Sequence, residues 1–273
     1  YNPILMNQIL KEEWQWDGVV ISDWGAVHDT HTAIIGGLDM EFGSWTDGLT
    51  EGTSNAYDNY WLANSYLKGI KEGIYTDKEL NEKVRRVLRL TFRTAMNNDR
   101  PWGSMVSDAH KTACRKIGEE GIVLLQNNAN LLPINLSKVK RIAVIGENAI
   151  KMMTVGGGSS SLKVKYEVTP LEGLKKRIGE QAEIIYARGY VGDPTGEYNG
   201  VKTGQNLKDD RSPKELRTEA LQVASNADIV LFIGGLNKSE YQDCEGTDRK
   251  TMDLPYNQNE LIMDLLQVNK KLV

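Results

Sequence analysis

The chemistry-bearing residues of this chain gather at three places, each where an apolar, strand-like run stops and polar residues take over. In α/β proteins ligands bind beyond the carboxyl ends of strands, because the sheet holds those loops rigidly while their sequences are free to vary. The first place is Ser22-Asp23-Trp24-Gly25, directly after Val19-Val20-Ile21. A carboxylate beside a tryptophan suits a sugar, since the indole face can stack on the apolar face of a pyranose. An Asp that caps the following turn beside a core Trp would read the same way. The second place is Gly156-Gly157-Gly158-Ser159-Ser160-Ser161. Backbone N–H groups of a glycine-rich loop can cradle phosphate. The pattern here is neither G-x-G-x-x-G nor a P-loop, and it lies about ten residues past the preceding strand without opening the next helix, so a flexible or substrate-facing loop is expected in place of a nucleotide site. The third place is the loop Gly235 to Arg249, which carries Glu240, Asp243, Glu245 and Asp248 and shows no helical or strand period. A solvated acidic loop would look alike, yet polar loops of this length are often functional. Cleaving a glycosidic bond takes two carboxyl groups, one as nucleophile or base and one as proton donor. The chain offers one in each half.

The elements that must position these groups follow from periodicity. Ile4, Leu5, Ile9 and Leu10 give a helical pattern over Pro3 to Lys11, followed by the turn Asp17-Gly18 and a buried strand Val19 to Ile21. A short helix over His28 to Ile35 and a strand-like stretch Gly37 to Phe42 complete a strand, helix, strand order that predicts parallel β/α units. A helix is expected over Asn55 to Lys71. Thr76-Asp77-Lys78-Glu79 has the spacing of a capping box, and behind it Leu80, Val84, Val87, Leu88 and Phe92 form one apolar stripe. Asn97 to Gly103, with Pro101, ends that helix and marks the edge of a first domain. After a helix at Asp108 to Gly118 and the run Ile122 to Leu125, an alternation begins: strand Arg141 to Ile145, helix Pro170 to Ile178, strand Glu183 to Tyr186, helix Pro213 to Ser225, strand Asp228 to Ile233, helix Asn257 to Val268. That order predicts a doubly wound or sandwich α/β sheet. Lys271-Leu272-Val273 reads as the start of one more strand.

Composition narrows the function classes. The chain has 273 residues, 33 Lys+Arg against 37 Asp+Glu and 40% hydrophobic residues, enough for roughly two domains. No apolar run approaches the roughly 20 residues that span a bilayer, so no membrane partner is expected. With a pI near 5.6 and no basic cluster interleaved with aromatics, no nucleic-acid partner is expected either. Cys114 and Cys244 form no C-x-x-C, which argues against a disulfide framework or a zinc site. The sequons at Asn135 and Asn237 are too common to assign a compartment. Tyr1 and the residues after it lack the pattern of a signal peptide, so the chain is expected to begin inside a longer protein, upstream of which any export signal would lie.

Five ordered segments carry a family resemblance. Gly18-Val19-Val20-Ile21-Ser22-Asp23-Trp24-Gly25-Ala26, with Leu10 to Asp17 before it and Gly37-Leu38-Asp39-Met40 after it, resembles the nucleophile region of glycoside hydrolase family 3. Glu119 to Asn127 with Leu131-Leu132-Pro133 is similar to that family's interdomain segment. Ile142 to Gly146 and Gly156 to Ser159 resemble the start of its α/β sandwich domain. Gly235-Leu236-Asn237, Glu245-Gly246-Thr247-Asp248-Arg249 and Leu254-Pro255-Tyr256-Asn257-Gln258 resemble its acid/base loop. The resemblance implies an α/β protein in which residues 1–105 are the C-terminal part of a (β/α)8-type barrel, 106–135 an interdomain segment and 136–273 an α/β sandwich domain cut short at its C-terminus. It implies a retaining exo-β-glycosidase, commonly a β-glucosidase, sometimes a β-xylosidase, acting on a glycoside or oligosaccharide without metal or organic cofactor. Asp23 matches the nucleophile, Glu245 the general acid/base and Trp24 a residue lining the sugar site. Glu240 is a competing acid because loop alignments slip. For acid work the Glu245 carboxyl is expected to be buried, so that desolvation and the Asp23 charge keep it protonated. The chain departs from the family in lacking the upstream barrel region that supplies Lys, His, Arg and Asp sugar contacts. That leaves the choice of sugar, hydrolysis against phosphorolysis, oligomeric state and an inactive or carbohydrate-binding fragment open.

Overall fold

Branched aliphatic residues dominate Arg141–Ile145 and Ile229–Phe232, and both runs form parallel strands in the computed structural model of the chain. The structure describes residues 2–42, 59–154, 161–192, 197–198, 201–202 and 204–273. They fall into two units, Tyr1–Ser104 and Met105–Val273. The expected helix start at Asn55 and the loop Gly156 to Ser160 lie outside the described residues.

In the second unit β1 (Arg141–Ile145) is the central strand, paired in parallel with β2 (Glu183–Ala187) on one side and β5 (Ile229–Phe232) on the other. Val230 also makes a parallel bridge to Leu272, so the terminal run adds beside β5 as the sequence suggests. Alternation along β1 sorts its side chains onto two faces. Ala143 and Ile145 pack with Val230, Ala220, Ala224, Leu261 and Leu265, which places α6 (Pro213–Ser225) and α7 (Gln258–Val268) on one face. Ile142 and Val144 pack with Ile229, Leu231, Leu171 and Ile178, which places α5 (Pro170–Ile178) on the other. Helices on both faces of a parallel sheet are the expected sandwich. Two helices start sharply because Thr169 and Ser212 cap them, each followed by Pro and answered by Glu172 and Glu215 in a reciprocal capping box. A two-stranded antiparallel pair, β3 (Glu197–Tyr198) with β4 (Val201–Lys202), lies between β2 and α6 in sequence. The segment Ile122 to Leu125 after α4 (Asp108–Gly121) is exposed at every position and makes no strand.

The first unit opens with a π-helix, Ile4–Glu13, and contains α1 (Thr30–Ile35), α2 (Asn64–Lys71) and α3 (Asp77–Arg93). The two expected strands reduce, among the described residues, to one parallel bridge between Ile21 and Met40. Val19 and Val20 are half-buried and Ile21 is exposed; among the described residues the run is bridged along one edge. The stripe on α3 is covered only in part, with Leu80 and Val87 half-buried. Val84, Leu88 and Phe92 are 45%, 50% and 58% exposed, while Lys83 and Arg86 are 7% and 8% exposed. The cations turn inward because the neighbouring segment presents bare carbonyls. Arg86 donates to the Trp16 and Gly18 carbonyls, both at 2.9 Å, and Lys83 donates to the Leu38 carbonyl. Arg93 grips the Asp17 carboxylate with both terminal nitrogens, at 2.7 and 2.6 Å.

Candidate active site

Asp23 follows the bridged segment and starts a tight turn closed by Ala26 N–H to the Asp23 carbonyl at 3.3 Å, with Gly25 at φ +66°. The carboxyl is exposed and accepts the Trp24 N–H at 2.7 Å. Turn capping by Asp23 is thus present, but the tryptophan is no core residue: Trp24 is 70% exposed, with its ring stacked on Phe42 at 4.9 Å. One indole face is held by Phe42, and the side chain is otherwise presented outward.

The turn is held from behind by residues to which sequence reasoning gave no role. Ser22 is buried; its N–H reaches the Met40 carbonyl at 3.0 Å and its hydroxyl accepts Phe42 N–H at 2.8 Å. Asp39, also buried, accepts the Val20 N–H at 2.9 Å and pairs with Lys11 at 2.8 Å. The signal for Asp39 is an acid inside an apolar strand-like run, which must find a buried partner.

Lys83 shares this interior, and burial pulls its ammonium down to about 8 from an ordinary 10.5, against partial support from Asp39. An amine whose folded pKa is depressed binds fewer protons folded than unfolded between those values, so stability rises with pH across that window. Burial pushes the Tyr66 phenol up to about 12, so above pH 10 the folded state loses stability again as unfolded tyrosine ionises first. Thermal melting should therefore show a gain of roughly 1–2 kcal/mol from pH 8 to pH 10, and Lys83→Met should flatten it. A flat wild-type profile would contradict the buried ammonium.

In the second unit the chain runs from β1 to β2 on one side, then crosses to β5 on the other. Loops leaving β1 and β5 therefore part in opposite directions at their carboxyl ends, which is where open α/β sheets bind ligands. The backbones come so close there that a Cβ on Gly146, at φ +122°, would lie 2.2 Å from the Ile233 carbonyl oxygen. After β1, Glu147 is fully buried and accepts from Arg188 at 2.8 Å and from Gly192 N–H at 2.6 Å, tying the ends of β1 and β2 together. Asn148 donates to the Leu236 carbonyl at 3.1 Å, tying β1 to the acidic loop.

That loop leaves β5 through Gly234-Gly235 and is built from local side-chain bonds. Asn237 is 2% exposed; its side-chain oxygen accepts Ser239 N–H at 2.8 Å, and its carbonyl accepts Asp243 N–H at 3.1 Å. Burial of its amide also removes the sequon at Asn237 as a glycan acceptor in the folded chain. Lys238 pairs with Asp243, and Tyr241, at φ +61°, donates its N–H to Thr247 Oγ1 at 2.7 Å. The Thr247 hydroxyl, 2.9 Å from Cys244 Sγ, holds that thiol below its usual pKa. A cavity of about 210 Å³ is lined by the loop and the segment after it, Leu236, Tyr241, Arg249 and Pro255 among them. Glu240 and Glu245 are both exposed, so the expected burial of the Glu245 carboxyl is not found. Polar loops stay at the surface because their backbone groups need water or side chains as partners, and here local side chains serve much of the loop.

No group of His, Cys, Asp and Glu able to hold a metal occurs among the described residues, and no helix among them is long and apolar enough to cross a membrane.

The chain is similar to β-glucosidase BoGH3A of Bacteroides ovatus, with 46% identity over 279 residues covering 100% of this chain and 36% of that protein. It is 32% identical to the thermostable β-glucosidase B of Acetivibrio thermocellus, over 100% of this chain and 32% of that one. Among solved structures, the GH3 β-glucosidase of Bifidobacterium adolescentis superposes with a TM-score of 0.72 at 28% identity, over 99% of this chain and 34% of its own. The chain thus spans about a third of the length of these relatives. Residues 122–273, more than half of the sequence and all of the parallel sheet with its acidic loop, match the glycosyl hydrolase family 3 C-terminal domain, and the chain belongs to that family.

Proposed function

We propose that this chain carries the two catalytic carboxyl groups of a retaining exo-β-glucosidase, Asp23 as nucleophile and Glu245 as general acid/base. In this reading residues 1–105 are the C-terminal part of a (β/α)8-type barrel, 106–135 connect, and 136–273 form the α/β sandwich. The observation that carries it is the placement of both groups: each is exposed on a loop that follows a β-segment, and each loop is braced from behind by buried polar residues. The 46% identity to a β-glucosidase over the whole chain supports the choice of sugar.

The chemistry asked of them has two steps. The Asp23 carboxylate attacks the anomeric carbon as the bond to the leaving oxygen breaks, and Glu245 gives that oxygen its proton. Glu245, now a carboxylate, takes a proton from water, whose oxygen attacks the anomeric carbon and releases Asp23. In such reactions the two carboxyl groups work about 5 to 5.5 Å apart, closer than the inverting arrangement that must admit water between them. Trp24 would give the ring an apolar platform, with Phe42 fixing the indole plane.

Proton NMR of an aryl β-glucoside reaction tests the reading. β-Glucose is expected as the first-formed anomer, mutarotating later to the mixture. α-Glucose appearing first would make the enzyme inverting and remove Asp23 as a nucleophile. Glucose 1-phosphate formed only when phosphate is added would turn the hydrolase into a phosphorylase.

A further inference from the structure

The loop that carries Glu245 is held at its root by side chains from outside it, Asn148 at the Leu236 carbonyl and Gln258 at Gly235. Gln258, the first residue of α7, is fully buried, and its amide meets Gly235 twice. Gly235 N–H donates to Gln258 Oε1 at 2.7 Å, and Gln258 Nε2 donates to the Gly235 carbonyl at 2.9 Å. An amide supplies one donor and one acceptor side by side, which is what a neighbouring strand would supply. Gln258 therefore replaces the partner that the backbone loses as it leaves the sheet after β5. The fit is close: Gly235 is at φ +110°, and a Cβ on Gly234 would lie 2.5 Å from Gln258 Oε1 and 2.2 Å from the Phe232 ring.

A second clamp sits just before Gln258 in sequence. Tyr256 and Asn257 are both left-handed, at φ +61° and +56°, a conformation that non-glycine residues hold only where their surroundings fix it. The Tyr256 hydroxyl accepts from Gln242 Nε2 at 2.5 Å and from Asn237 Nδ2 at 3.4 Å, and Gln242 Oε1 in turn accepts Asn237 N–H at 3.0 Å. Both clamps grip the loop between Gly235 and Gln242. Glu245 follows three residues later, beyond the last gripped position.

We infer that Gln258 is a positioning residue for the acid/base: by fixing the hinge at Gly235, with Tyr256 as its helper, it aims the Glu245 carboxyl at the leaving-group oxygen. The inference rests on the assignment of Glu245 as the acid. It predicts a distinctive kinetic signature, because a misaimed acid matters only when the leaving oxygen needs a proton.

The test compares an alkyl β-glucoside with a dinitrophenyl β-glucoside in wild type, Gln258→Met, Tyr256→Phe and Glu245→Gln. Gln258→Met should lower kcat/KM on the alkyl substrate roughly 10- to 100-fold while leaving the dinitrophenyl substrate within about 3-fold, since that leaving group departs unprotonated. Tyr256→Phe should show a smaller effect in the same direction, and it carries the test if Gln258→Met does not fold. Amide exchange at Asn237 and Asp243 should quicken in either variant without substrate. Equal losses on both substrates would mean a merely structural role and overturn the inference, as would unchanged exchange in a folded Gln258→Met protein. Glu245→Gln separates the two levels. If it fails to discriminate between the substrates, the acid assignment falls first; if it discriminates and the Gln258 variant does not, the positioning role alone falls.

Discussion

Asp23→Ala is expected to lower turnover of every β-glycoside at least ~10⁴-fold, equivalent to about 5.5 kcal/mol of barrier, whatever the leaving group. The loss should be uniform because the proposed nucleophile takes part in both chemical steps and no other described carboxylate stands in the same turn to replace it. Misfolding would not explain the result. Asp23 is exposed, and its bond to Trp24 N–H lies within the turn, where water can take over. The supports that hold the turn, the Ser22 hydroxyl, the Asp39 carboxylate and the Phe42 ring, are left intact. Melting of the variant should therefore stay within about 0.5 kcal/mol of wild type. A 2-deoxy-2-fluoro glucoside with a good leaving group slows both steps and lets the glycosyl ester accumulate. Peptide mapping should place that ester on Asp23, and a label on any other residue would overturn the mechanism.

Glu245→Ala should split substrates by leaving group. Alkyl glucosides are expected to lose about 10²- to 10⁴-fold, the range general acid catalysis contributes, whereas dinitrophenyl glucosides should still form the glycosyl ester and then stall for want of a base. Azide, which needs no deprotonation, should restart turnover of the activated substrate and yield β-glucosyl azide. Glu240→Ala is the control that the loop geometry recommends. Tyr241 N–H and Thr247 Oγ1 close a turn that contains Glu245 and leaves Glu240 just outside it. If the azide rescue and the leaving-group split appear in Glu240→Ala and not in Glu245→Ala, the acid is Glu240.

The exposed state of Glu245 bears on both experiments. A carboxyl that must be protonated at neutral pH needs burial or a neighbouring negative charge to stay so. The acidic loop provides a defined backbone and a fixed root, and in the proposed reaction the desolvation would come from whatever covers the loop, the bound sugar included.

Sequence alone determined the second unit's layering. Its strands are short apolar runs, two of its helices begin at Thr-Pro and Ser-Pro caps, and each of these signals is local, written within a few consecutive residues. Two of the loops that attract chemistry, after Ile21 and after β5, were also legible, since each begins where an apolar run ends. What the sequence concealed are bonds between side chains and distant backbone. An apolar stripe on α3 promised a buried face, yet Arg86 reaches carbonyls some 70 positions away and turns the cationic face inward. Val19 to Ile21 looked like a buried strand and, among the described residues, has one bridged neighbour, because strand burial depends on partners that local pattern does not specify. Trp24 could have been core; it is 70% exposed, and the ring it stacks on, Phe42, lies 18 positions away. Gln258 looked like the start of a helix, and only the tertiary structure turned its amide toward Gly235, 23 positions earlier. Periodicity records which face of an element avoids water. It carries no record of which distant carbonyl or N–H a polar side chain will meet, and those meetings are what aim the candidate catalytic groups.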